Sequence, residues 1–157
     1  QQMRKNNGTV AEVIDANVRK VITKEKQVDP IWYQKMSTLL DEIILDRRKG
    51  ALDYEAYLKR ISELCRKLKD QFSDSAYPNG INSKPRMTLY NNLENNEELA
   101  IKLDENIIKN KPDGWKGDRI KERMVEIAID EALNQENIHD DELVKKILKL
   151  AIEQKEY

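Results

Sequence analysis

Pro112-Asp113 is followed forty residues later by Glu153-Gln154-Lys155, which as letters match the Pro-Asp … Glu-x-Lys signature of metal-dependent nucleases. In that chemistry an Asp and a Glu share a divalent cation, while the Lys orients the attacking water or stabilises charge on the phosphate. Such residues must converge from neighbouring strands of a mixed sheet. Here Asp113 falls in a turn and the Glu-x-Lys in the last turn of a helix, so the match reads as coincidence. No Gly-x-x-x-x-Gly-Lys phosphate loop occurs either, and ATP hydrolysis by this chain alone is not expected.

A second candidate is the stretch DGWKGDRIKE, residues 113–122, which sets one of two tryptophans between two glycines. Around it Lys109, Lys111, Lys116, Arg119, Lys121 and Arg123 stand against Asp113, Asp118 and Glu122. A basic loop with a central aromatic can hold a phosphate backbone and stack a base. The favoured reading is plainer: Gly114 and Gly117 supply backbone conformations that other residues resist, and Trp115 folds back as a plug between helices. The single histidine, His139, lies in a polar run at a helix entry with nothing to mark a strained nucleophile turn. The single cysteine, Cys65, beside Leu64 and Leu68, reads as a buried structural thiol. One cysteine excludes an internal disulfide and a cysteine-based zinc site.

The elements that must position these residues are helices. Charged residues make up 36% of 157, while Gly (5) and Pro (4) are sparse, a balance that favours solvated helices over turn-rich β structure. With 28 Lys and Arg against 29 Asp and Glu, the net charge of −1 lacks the basic footprint of an independent nucleic-acid binder. No apolar run is long enough to span a bilayer and no signal-like start is present, so a cytoplasmic protein is expected. A start at Gln1, with Met3 behind it, suggests a piece of something longer.

Helix punctuation predicts about seven helices. Thr9-x-x-Glu12 has the form of a capping box, ahead of Val10, Val13, Ile14, Val18, Val21 and Ile22 on one stripe. Asp29-Pro30 opens a second helix bearing Trp32, Met36, Leu39, Leu40, Ile43 and Ile44, and Gly50 ends it. Asp53 caps a third, whose inward face is expected to carry Tyr54, Leu58, Ile61, Leu64, Cys65, Leu68 and Phe72. Arg47-Arg48-Lys49 reads as cations complementing a helix C-terminus. The Pro, Gly and Ser break over residues 73–85 is the expected boundary between two halves, about 9–72 and 83–157, of a single domain. Beyond it, Ser83, Asn95 or Asn96, Asp118 and Asp140 are the expected caps of four more helices. Leu99, Ala100, Leu103, Ile107 and Ile108 face inward on the second of these, Ile120, Met124, Ile127, Ala128 and Leu133 on the third, and Leu143, Ile147, Leu148 and Ala151 on the last.

Several stretches together resemble a known family. WYQKMSTLLDEIILDRRKGALDYEAYLKRISEL (32–64), YPNGINSKPRMTLYNNLENNEELAIKLDENI (77–107), DGWKGDRIKERMVEIAI (113–129) and the ending KLAIEQKEY are similar, in order, to the C-terminal helical region of the restriction (R) subunit of type I restriction-modification enzymes, HindI-like branch. Lys116 stands where that family commonly has arginine, which keeps charge but loses a bidentate fork. The resemblance implies an all-α domain in two packed helical halves, attaching the motor subunit to the methyltransferase (M) and specificity (S) subunits. It implies no catalytic residue, metal ligand or cofactor here; ATP, Mg2+, DNA translocation and endonuclease cleavage belong to the parent subunit, whose DNA contact comes through the whole complex. Trp115, Lys116, Arg119, Tyr77 and Pro78 are the candidate interaction or structural loop residues. The alternative is a DNA-contacting module that guides duplex during translocation through the 109–123 segment. A residual magnesium-dependent nuclease resting on Glu153 is a third.

Overall fold

The computed structural model describes residues 2–71 and 77–157. It is all-helical, with seven helices and no strand among the described residues: α1 (Gln2–Glu25), α2 (Pro30–Arg48), α3 (Tyr54–Lys69), α4 (Lys84–Asn92), α5 (Glu97–Asn110), α6 (Arg119–Gln135) and α7 (Asp141–Ile152). None of the described helices is long and apolar enough to cross a membrane.

Five of the helix starts are fixed by local side chains. Asp53 accepts from Ala56 N at 2.7 Å, Ser83 from Arg86 N at 3.3 Å and Asn96 from Leu99 N at 3.1 Å. Asp118 accepts from Ile120 N and Lys121 N, and Asp140 from Glu142 N and Leu143 N. Each of these oxygens satisfies amide donors that a helix N-terminus leaves unpaired. At the end of α2 the bonds Gly50 N to Arg47 O and Ala51 N to Asp46 O close a Schellman turn at the expected glycine. Thr9 is the exception. It lies inside α1, because the helix-favouring Gln2 to Lys5 carries the helix upstream and overrides the local capping pattern.

The chain divides into two compact units, one holding α1 to α3 and the other α4 to α7 together with Gln27–Asp29. In the first, Ala11, Val18 and Ile22 of α1 meet Trp32, Met36, Leu40 and Ile43 of α2 and Tyr57, Ile61 and Leu64 of α3. The α1 stripe is narrower than expected: Val10, Val13 and Val21 are exposed, because the six apolar positions span half the helix circumference and only one flank of that arc is covered. On α3 the fully buried residue is Tyr57, while Cys65 is exposed, a correction to its expected burial. One residue step from Leu64 turns Cys65 by about 100°, off the packed face. Phe72, expected on the same face, lies outside the described residues.

In the second unit Met87, Leu89, Leu99, Leu103, Ile107, Val125, Ile129, Leu133 and Ile147 build the core around Trp115. Here the expected α6 face is also corrected. Val125, Ala128, Ile129, Ala132 and Leu133 point inward, whereas Ile120, Met124 and Ile127 are exposed, as is Ile108 on α5. On α7 the buried set is Val144, Ile147, Leu150 and Ala151, with Leu143 and Leu148 half-buried.

Candidate interaction site

The turn between α5 and α6 is built by its glycines. Gly114 (φ 65°) and Gly117 (φ 86°) both adopt left-handed backbone, which a Cβ would penalise, and they reverse the chain on either side of Trp115. Four further bonds hold the turn onto α6: Asp118 accepts from Ile120 N and Lys121 N, the Glu122 carboxylate accepts from Gly117 N at 2.6 Å, and Lys121 Nζ donates to the Asp113 carbonyl at 2.9 Å.

Trp115 points into the core, 2% exposed, and its Nε1 donates to the Tyr157 carbonyl at 3.0 Å. Lys116 Nζ donates to the Gln154 carbonyl and stands 5.9 Å from the Trp115 ring centroid. The turn therefore clasps the segment that follows α7. The Tyr157 hydroxyl donates in turn to the Asp104 carboxylate, whose other oxygen accepts from Arg86 Nε at 2.6 Å, and Arg86 also donates to the Gly80 carbonyl at 3.0 Å. Burial, reinforced by the bond to Asp104, pushes the Tyr157 phenol far above its ordinary value.

The Tyr77 hydroxyl accepts from Asn91 Nδ2 at 2.8 Å and its ring meets Tyr90 edge-on with centroids 5.8 Å apart. The Pro78 carbonyl accepts from Ile81 N at 3.0 Å, closing the turn that leads into α4. Asn91 and Asn92 also donate to the buried Asp29 carboxylate at 3.0 and 2.7 Å, and Gln154 Nε2 donates to the Val28 carbonyl at 2.8 Å. Of the five candidate residues, the fold brings Trp115 and Lys116 together around residues 154–157, leaves Arg119 exposed at the start of α6, and places Tyr77 and Pro78 at the turn before α4, which Arg86 ties to the clasp through the Gly80 carbonyl.

Sequence reasoning missed a second network, in the first unit. Asp15 is 6% exposed; it receives the Tyr57 hydroxyl at 2.5 Å and Arg47 at 2.7 Å, with the Arg47 guanidinium 5.2 Å from the Tyr57 ring centroid. Arg47 is thus a partner for a buried carboxylate as well as a cation at a helix end. Burial and the bond to Asp15 push the Tyr57 phenol well up. The available signal was the spacing Ala11, Asp15, Val18, Ile22, in which a carboxylate interrupts an otherwise apolar stripe and needs partners when buried. Each unit therefore holds one buried Arg–Asp–Tyr triad, a geometry that joins three helices in the first and serves packing in both.

The tyrosine–carboxylate pair of each network is buried, Tyr57 and Tyr157 being 0% and 8% exposed. His139 is exposed, its Nδ1 2.8 Å from Asn134 Oδ1. Among the described residues no three His, Cys, Asp or Glu side chains gather as a cation site. Asp113 and Glu153 lie on the two segments that the clasp joins, but on a turn and a helix end, without the strands that align the nuclease signature. No family model, curated protein or solved structure matches the chain.

Proposed function

We propose that this chain is a non-catalytic assembly domain, docking the ATP-dependent translocase and endonuclease subunit of a type I restriction enzyme onto its methyltransferase-specificity core. The resemblance over residues 32–64, 77–107 and 113–129 supplies the partner. The observation that carries an interaction role is α1, which has one broad apolar arc and buries only one flank of it. Ala11, Val18 and Ile22 are buried, while Val10, Val13 and Val21 stand 46%, 57% and 48% exposed on a neighbouring arc. Scattered apolar residues on a surface need no explanation, but three on one face of one helix are what a partner covers. ATP and Mg2+ belong to the parent subunit on this reading.

The competing reading, a DNA-guiding module, is weakened by the same side chains that suggested it. The Trp115 ring is taken up in the core, and Lys116, Lys121 and Arg123 already engage Gln154, Asp113 and Glu126. The test is a Val13→Glu, Val21→Glu double variant presented to the methyltransferase core. Loss of binding with the helical circular-dichroism signal intact supports the proposal; unchanged binding removes α1 from it.

A further inference from the structure

The uncovered face of α1 carries charge as well as valine. Successive helix positions turn by about 100°, so Val10, Val13, Asn17, Lys20, Val21 and Lys24 share one arc, itself about 100° wide, and all six are exposed. The carboxylates of α1 lie off it. Asp15 is buried against Tyr57 and Arg47, and Glu25 is half-buried, three and seven residues from the buried Ile22 and Val18. Glu12 lines the groove between α1 and α2 on the far side. Lys20 and Lys24 have no carboxylate partner among the described residues. Lys24 stands in the last turn, where a cation suits the helix dipole, but Lys20 is a turn further in, beyond that effect. The two units also divide the charge unevenly. Lys and Arg number 15 against 11 Asp and Glu in the unit that holds α1, and 13 against 18 in the other.

We propose that the surface received by α1 is an acidic one: an apolar patch of a partner protein, set against Val10, Val13 and Val21, with carboxylates at the end that meets Lys20 and Lys24. This rests on α1 being the docking face and adds the chemistry of what covers it. Apolar side chains are required opposite the valines, since a phosphate backbone would leave them in water or against charge. Two lysines are also few beside the roughly six or more phosphate contacts of a salt-sensitive duplex binder. Carboxylates are required at the other end, since a neutral patch would strip water from two ammonium groups and return nothing. Pairs of this kind speed encounter and fix which way the partner lies along the helix.

The test is binding of the 157-residue chain to the reconstituted methyltransferase-specificity core at low and at high salt, with a DNA duplex as a second probe. The Lys20→Glu, Lys24→Glu double variant should bind about tenfold more weakly at low salt, with a smaller loss at high salt, where exposed charges are screened. Lys20→Arg with Lys24→Arg should bind like the wild type. Lys59→Glu with Arg66→Glu makes the same change of charge on exposed positions of α3 and should leave binding nearly unaltered. If K20E/K24E binds like the wild type, or more tightly, while the Val13→Glu, Val21→Glu variant does not bind, the acidic patch is overturned and α1 stands as the docking face. A wild type that never binds the core overturns the docking reading and this inference together. Duplex bound by the wild type and released by K20E/K24E overturns it in favour of nucleic acid.

Discussion

Trp115 is held through both its ring and its nitrogen, and the two holds are separable. Trp115→Phe keeps most of the packing but strands the Tyr157 carbonyl, an expected cost of about 1–3 kcal/mol. Trp115→Ala also opens a cavity, for about 3–5 kcal/mol. Chemical denaturation of the two variants checks that order, and equal losses would mean that the ring packing contributes nothing beyond the hydrogen bond. The buried phenols give a pH prediction. Tyr57 and Tyr157 keep their protons in the folded state well above the range where an unfolded tyrosine ionises, about pH 10. The unfolded chain then binds fewer protons than the folded one, so stability is fully present below about pH 10 and falls as pH rises beyond it. Tyr157→Phe should make that alkaline fall shallower, read as unfolding free energy at about pH 8 and about pH 11; an unchanged slope would contradict the assignment. At this scale the sequence was legible where chemistry is local. Gly114 and Gly117 around a tryptophan announce a turn with something to fold inward. The Asp104 to Tyr157 bond, across 53 positions, leaves no local mark.

The helices divide in the same way. Their starts were readable because a cap is settled within three residues, as Asp53, Ser83, Asp118 and Asp140 show. Their faces were less so, because an apolar arc wider than the contact leaves its neighbours to decide which flank is covered. On α6 that choice fell to Val125 and Ile129 instead of Ile120 and Met124, and on α3 it left Cys65 outside. Thr9 failed differently: a capping box marks a start only where the preceding residues are not already helical. The turn before α6 carries its own test. Gly114→Ala places a Cβ at a φ of 65°, an expected loss of about 1–2 kcal/mol with no steric clash, since nothing lies within 4 Å of the added carbon. Thermal unfolding reads that loss directly. A variant as stable as the wild type would mean the turn relaxes to an ordinary backbone.

In the whole molecule, a short linker segment is shared out unexpectedly. Asp29 precedes α2 in sequence, and that is where its proline neighbour led the reading, but Gln27–Asp29 belongs with α4 to α7. Its carboxylate receives two asparagine side chains 62 and 63 positions away. Asp29→Ala should therefore weaken hydrogen-exchange protection in α4, by about 1–3 kcal/mol, as two buried amides lose their acceptor; protection lost only in α2 would contradict this. The proposed assembly role rests on the apolar arc of α1 left uncovered, beside two units that each have their own core and their own buried triad. The most direct measurement is co-migration of the purified chain with a reconstituted methyltransferase-specificity core in size exclusion, with a DNA duplex run separately. The account predicts a complex with the core and no shift of the duplex. Failure to bind the core, with duplex binding whose log affinity falls steeply with log salt concentration, would contradict it and move the function to the DNA track.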